Sequence, residues 1–366
     1  MRPTVHRLTG LLALLAGCQA PTVFAAATPN TCEWLSGGGA TMTFNQNMGT
    51  VYVPRDAPVG SIIGRRERKL TPNIEGRAVR CDNDGNVRLT FNAATSVPFA
   101  QNLPVGIGTF GAIQDVLSTN IPGVGVRFQL GFPFDGFASN SFTPDTGDPT
   151  VPFSAHHQRP MGSAQMNFSS LESYITLIKT GPIPLDPQTF DGQELFSGEF
   201  SGIPGKTFRA GLSGTVIQAH CGSHKVSADP VQLGDWDLAD FNAPGYTTTA
   251  VPFSIFLSTC IADDADLNIA TAHIRFEGAG GSLPVTPPIP GVFSLTPGSS
   301  AKGVGIQILK GDQTTPIELS QDVAIEKISS KGTPLHFAAR FYQIEASRDI
   351  EAGEAKGTLN FTLTYK

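Results

Sequence analysis

The stretch GTLNFTLTYK (357–366) places Leu359, Phe361, Leu363 and Tyr365 on one side of an extended chain and Asn360, Thr362 and Thr364 on the other. A period of two marks a strand with one buried face, and every strand must be paired or covered along both edges. With no residue after Lys366 to pair with it, this strand is expected to leave an edge for something else to cover.

Similar short apolar runs recur between turn residues. In the first half GTVYVP (49–54), GSIIG (60–64), GRAVRC (76–81), NVRLTF (86–91), GVRFQL (125–130) and SYITLIKTG (173–181) read as strands, and only FGAIQDVLSTN (110–120) hints at a short helix. In the second half GTVIQAHC (214–221), PVQLGDW (230–236), VPFSIFLSTC (251–260), NIATAHIRF (268–276), VGIQILK (304–310), HFAARFYQI (336–344) and the closing stretch do the same. Gly 40 and Pro 28, with a charged fraction of 15%, favour many turns and short strands over helices. DNDGN (82–86) reads as a hairpin turn and not a calcium loop, because an EF-hand counted from Asp82 would need Gly at Val87 and Glu at Ala93. The glycine-rich FSGEFSGIPGKTFRAGLSG (196–214) separates the halves, with a boundary expected near Pro204.

A chain of 366 residues has room for two domains, each with its own core, and a net charge of -6 argues against nucleic acid or an anionic membrane as partner. Arg2, Arg7, the short apolar run Leu8 to Ala16 and the small residues of VFAAA read as an export signal over 1–27. Leu14 to Cys18 also has the form of a lipoprotein box, and Cys18 is read as part of the removed signal. Of the five cysteines, Cys32, Cys81, Cys221 and Cys260 then remain. In an exported chain they suggest disulfides, with three connectivities open; one pair in each half favours Cys32–Cys81 and Cys221–Cys260.

Little points to chemistry. GIGTFG (106–111) lacks the βαβ setting of a phosphate loop, and His220 and His224 of HCGSH read as strand-end residues, since Cys221 is better used in a disulfide. AHHQRP (155–160) puts two histidines in a polar loop. G-x-S-x-G, H-E-x-x-H and a nucleophilic cysteine are all missing, so neither enzyme nor cofactor is expected. Trp34 could stack on a sugar, but packing against the disulfide in the core is favoured; Trp236, between the second pair of cysteines, loosely fits the Cys…Trp…Cys spacing of an immunoglobulin-like sandwich.

GTVIQAHC, VQLGDW, FSIFLSTC, Gly353 and GTLNFTLTY, in that order, resemble the pilin domain of chaperone–usher fimbriae. GTVYVPRDAPVGSII, IPGVGVRF and YITLIKTGPI look like the adhesive domains of type 3 fimbrial tip adhesins. The resemblance implies an all-β chain of two β-sandwich domains: a receptor-binding domain over 28–204 and a pilin domain over 205–366, the latter an incomplete immunoglobulin-like fold lacking its last strand. It implies a groove along Gly357, Leu359, Phe361, Leu363, Tyr365 and Lys366, filled in trans first by a periplasmic chaperone, whose basic residues hold the Lys366 carboxylate, and then by the strand of a neighbouring subunit. For a chain expected to accept a strand and have none to give, the resemblance further implies a place at the fibre tip, reached through the outer-membrane usher. Its first domain would bind a host glycan or matrix protein, and Phe134, Asp135, His156, His157 and Arg159 are the candidate contacts. A tip or adaptor subunit without receptor, or a lipid-anchored surface sandwich, are the alternatives.

Overall fold

In a computed structural model the described residues are 30–36, 40–70, 77–101, 103, 115–162, 164–263, 265 and 270–366. The signal segment, Cys18 and GIGTFG lie outside them. The first half carries β1 (Thr31–Ser36), β2 (Met42–Pro54), β3 (Ile62–Leu70), β4 (Ala78–Asp82), β5 (Leu89–Thr95), β6 (Leu117–Ser118), β7 (Val124–Leu130), β8 (Thr143–Pro144), β9 (Phe153–His157), β10 (Met166–Phe168), β11 (Leu171–Lys179), β12 (Gln188–Asp191) and β13 (Phe196–Phe200). There follow β14 (Phe208–Val226), β15 (Val251–Ile261), β16 (Thr271–Ala279), β17 (Val292–Ser294), β18 (Val304–Lys310), β19 (Val323–Lys327), β20 (Thr333–Gln343) and β21 (Thr358–Tyr365). Among the described residues the only helical pieces are single 3-10 turns at Leu238–Asp240 and Ser347–Asp349, so the chain is all-β.

Two apolar cores form. The first gathers Phe44, Phe91, Phe134, Phe142, Phe168, Phe196, Phe200 and Phe208, with Phe91 stacked on Phe134 at 4.1 Å and Phe44 edge-on to Phe208 at 5.6 Å. Phenylalanine suits such a cluster because it buries a full ring without a hydroxyl that needs a partner. The second core is aliphatic around Ile255, Leu257, Ile274, Ile308 and Leu335, with Phe337, Phe276 and Tyr365 among them. Each core holds one disulfide, Cys32–Cys81 joining β1 to β4 and Cys221–Cys260 joining β14 to β15, as the division between halves suggested. Trp34 packs against the first core.

β14 runs through both cores. Its first part lies beside β2 in parallel register from Phe208↔Met42 to Ala219↔Pro54, and its last part pairs with β15 from His220↔Ile261 to Val226↔Ile255. The β2 register shifts where Gly49 and Gly214 face each other at positive φ; a Cβ on Gly214 would lie 2.5 Å from the Gly49 carbonyl oxygen, so only glycine lets the strands stay in contact there. Past that point the buried positions of β2 change phase, from Met42, Phe44 and Met48 to Val51 and Val53. The second core is closed by the sheet β17-β18-β20-β15-β14 and by β19-β16-β21.

Several expectations are corrected. Asp115 to Asn120 is not helical: Leu117 is buried and pairs with Val126, and packing overrides the weak helical pattern, while 110–114 lie outside the described residues. DNDGN is a turn but not a hairpin, because β4 pairs with β1 and β10 whereas β5 pairs with β9 and β13; Asn83 and Asp84 side chains cap the Gly85 and Asn86 N–H groups at 2.8 and 2.9 Å. PVQLGDW forms no strand, and Trp236 is 36% exposed with its indole N–H on the Leu233 carbonyl oxygen, so it is not the buried tryptophan of an immunoglobulin domain. His220 and His224 lie within β14 and not at its end. The glycine-rich stretch contains β13 and the start of β14, both in the first core, and Pro204 lies between these strands.

Candidate functional site

β21 pairs with β16 on one side, from Ala272↔Tyr365 to Ala279↔Thr358, and is the edge of its sheet. The N–H and C=O of Lys366 both bond to Thr271, so by the alternation of an antiparallel ladder Tyr365, Leu363, Phe361 and Leu359 turn their backbone groups away from β16. Among the described residues nothing pairs with the outward groups of Leu359, Phe361 and Leu363, and their side chains are only half buried against the second core.

A second unpaired edge faces this one. β2 covers one side of β14 as far as Ala219, and beyond it, from Cys221 to Val226, no strand takes its place among the described residues. The Cys221 carbonyl oxygen points to this side and accepts from the Tyr365 hydroxyl at 3.4 Å, and the His224 ring meets the Phe361 ring edge-on at 5.2 Å. Burial pushes the Tyr365 phenol above its ordinary pKa, which keeps it a donor. The result is a space between two strand edges that have no strand partner among the described residues, over an apolar floor, the arrangement that an added extended strand satisfies.

One end of the groove is closed. Arg55, following β2, donates its N–H to the Ala219 carbonyl oxygen at 3.1 Å, and Asp56 donates its N–H to the Tyr365 carbonyl oxygen at 2.9 Å. The Tyr365 N–H returns a bond to Asp56 Oδ2 at 2.8 Å, and the Arg55 guanidinium pairs with Asp56 and sits 5.0 Å above the Tyr365 ring. Lys179, 6% exposed, donates Nζ to the Arg55 carbonyl oxygen at 2.8 Å, and burial lowers its pKa. Of the residues expected in the groove, Leu359, Phe361 and Leu363 lie half buried along the β21 edge, and Tyr365, 3% exposed, is buried beside the Arg55–Asp56 turn. Lys366 bonds through Nζ to Asp322, and Gly357 lies against Phe293 and Ile306, where a Cβ would come within 2.5 Å of the phenyl ring.

The five expected receptor contacts gather about the loop between β7 and β8, but AHHQRP is not itself a loop: His156 and His157 lie in β9, paired with β5. Phe134 and His157 are corrected: at 0% and 1% exposure they cannot meet a receptor. Both brace the loop instead, Phe134 from the core and His157 through Nε2, which donates to the Ser139 carbonyl oxygen at 2.9 Å; burial holds this imidazole below its usual pKa. Arg159 donates Nε to the same oxygen at 3.1 Å and Nη2 to the Ala138 carbonyl oxygen, and Asp135 Oδ1 accepts from the Phe137 N–H at 3.1 Å. His156 is tied at 2.6 Å to Asp145, which also takes Arg88 at 2.8 Å. The bracing presents Phe137, which is 92% exposed. Sequence reasoning passed over Phe137, Arg55 and Asp56; in FPFDGF nothing in the spacing tells the buried phenylalanine from the bare one.

Two family models match separate parts of the chain. Residues 210–366 match the family described as fimbrial protein, and residues 44–150 match the MrkD-like receptor binding domain. A fimbria adhesin protein of Klebsiella pneumoniae is 28% identical over 358 residues, covering 93% of this chain and 96% of the relative. A fimbrial subunit type 1 of Salmonella typhimurium is 32% identical over 157 residues, 42% of this chain and 80% of the relative. Among solved structures, the CupB6 tip adhesin from Pseudomonas aeruginosa aligns over 92% of this chain and 93% of its own, at 17% identity and a TM-score of 0.36.

Proposed function

The chain belongs to the fimbrial protein family, as a two-domain adhesin of the chaperone–usher kind, and from that premise we propose that it occupies a fibre tip at the cell surface. The second half joins the fibre by accepting an extended strand in the groove between β14 and β21, in place of the last strand of its immunoglobulin-like sandwich. A periplasmic chaperone holds that groove first, engaging the Lys366 end, and a neighbouring subunit takes it over after passage through the usher. The first half, taken as 28–204, binds a host glycan or matrix protein noncovalently through the loop that presents Phe137, and no chemical step is assigned to it.

One observation carries this reading: two strands of the second core face each other with unpaired edges across a half-covered apolar floor. The donated strand would satisfy both edges and cover Leu359, Phe361 and Leu363. At roughly 25 cal/mol per Å² of apolar area, a few interleaved side chains are worth several kcal/mol. The test is thermal unfolding of residues 28–366, alone and with an alternating-apolar donor strand linked after Lys366; the whole chain is needed because β14 serves both cores. A marked rise in the melting temperature of the fusion is expected. Equal melting would mean that the sandwich needs no partner.

A further inference from the structure

We propose that the receptor-binding half itself supplies the first rung of the groove, so that along β21 the incoming segment pairs only with Leu359–Leu363 and ends against the Arg55–Asp56 turn. This rests on the donor-strand reading above and specifies the partner's length, its register and its contact with the adhesive half.

Arg55 and Asp56 stand where a donated strand would stand. One reaches β14 through the Arg55 N–H and the Ala219 carbonyl oxygen, 3.1 Å, and the other reaches β21 through the Asp56 N–H and the Tyr365 carbonyl oxygen, 2.9 Å. Two consecutive residues bonding to opposite walls show that the gap at this end is one strand wide. Directly beyond them, Leu363, Phe361 and Leu359 present the same wall with nothing bonded to it among the described residues.

The turn is fixed more firmly than a displaceable plug. Tyr365 returns its N–H to Asp56 Oδ2 at 2.8 Å, and Lys179 Nζ holds the Arg55 carbonyl oxygen at 2.8 Å. Ala219, Lys179 and Tyr365 are 0%, 6% and 3% exposed, so a strand that pushed the turn aside would strand buried donors and acceptors. The Ala57 N–H closes on the Pro54 carbonyl oxygen at 3.1 Å, turning the chain out of the groove after Asp56. The partner therefore needs apolar side chains at alternate positions, set over Leu359, Phe361 and Leu363, and a terminal residue in contact with the turn.

The test uses residues 28–366 and synthetic peptides of alternating Ile and Thr, about five to nine residues long, with binding read by fluorescence polarisation and a benzophenone photo-cross-linker placed at either end. Affinity should rise with length until the Leu363 position is paired, then change less than about twofold when a further residue is added toward Tyr365, since no further backbone bond can form. One peptide end should cross-link to Pro54–Ala57. Continued gain on lengthening toward Tyr365, with cross-links to Ala219 or Tyr365 and none to the turn, would overturn the stop while leaving strand donation intact. Failure of every peptide to bind would overturn strand donation and the stop together.

Discussion

Replacing Asp56 with alanine tests the closed end of the groove at a single side chain. The carboxylate accepts the Tyr365 N–H at 2.8 Å on a residue 3% exposed, so Asp56→Ala leaves a buried donor unmade at a cost of about 1–3 kcal/mol. The Arg55–Asp56 pair, with side chains 34% and 31% exposed, adds under about 1 kcal/mol. A loss of about 2 kcal/mol lowers the melting temperature of a unit this size by about 4–8 °C. Differential scanning calorimetry of residues 28–366 should place the loss in the transition of the second core, where Tyr365 packs, although Asp56 is contributed by the first half. Asp56→Asn keeps an oxygen acceptor and gives up the charge, and should cost about half as much. The reasoning is refuted if Asp56→Ala melts within about 1 °C of the parent. If Asn is as damaging as Ala, the ion pair and not the bond to Tyr365 fixes the turn.

Other outcomes follow from the same geometry. Phe361→Ser removes an apolar side chain from the groove floor and should weaken donor-peptide binding at least about tenfold, measured by polarisation, with a smaller effect on the unliganded fold because the ring is only half buried. Phe137→Ala should abolish or sharply reduce adhesion to receptor-bearing cells while shifting stability by less than about 0.5 kcal/mol, since the ring touches little of the protein; Arg159→Ala should lose adhesion by loosening the loop, visible as faster amide exchange at 136–141. His157 has its pKa lowered by burial, so the unfolded chain takes up the proton first: stability is full above about pH 6.5 and falls as the pH drops from there through the lowered folded value. Replacing His157 with glutamine should flatten that part of a pH–melting profile.

The strand framework was legible where one face of a strand meets a core and the other meets solvent. Val304–Lys310 was read with its observed limits, and GTLNFTLTYK became β21 because alternation survives folding there. The disulfides followed from one pair in each half. Gly198 shows why 196–214 was harder to read: the Phe208 ring lies over it, and a Cβ would sit 2.1 Å from the ring, so the small residue belongs to a packed strand and not to a loose connection. PVQLGDW failed for the opposite reason: Leu233 packs against the second core, but Pro230 and Trp236 are exposed and no neighbouring strand pairs with the stretch among the described residues. The alternation of β21 was visible in its repeat, but the contact of its end with the Arg55–Asp56 turn was not, because Asp56 and Tyr365 are 309 residues apart and only the fold brings them together. Likewise a histidine–arginine motif marked the loop region, while the choice between bracing and presenting residues depends on burial that spacing does not encode.

β14 also decides how tension would cross the molecule. A pull applied at the Phe137 loop and resisted at the groove must pass from the first core to the second, and β14 is common to both. Along its first part β2 lies parallel to it, with the connecting hydrogen bonds set across the strand direction. Load along that direction strains the whole row together, where a peeling load would open one bond at a time. With Cys221–Cys260 stitching the next part of β14 to β15, load would cross from one core to the other along continuous hydrogen-bonded strand.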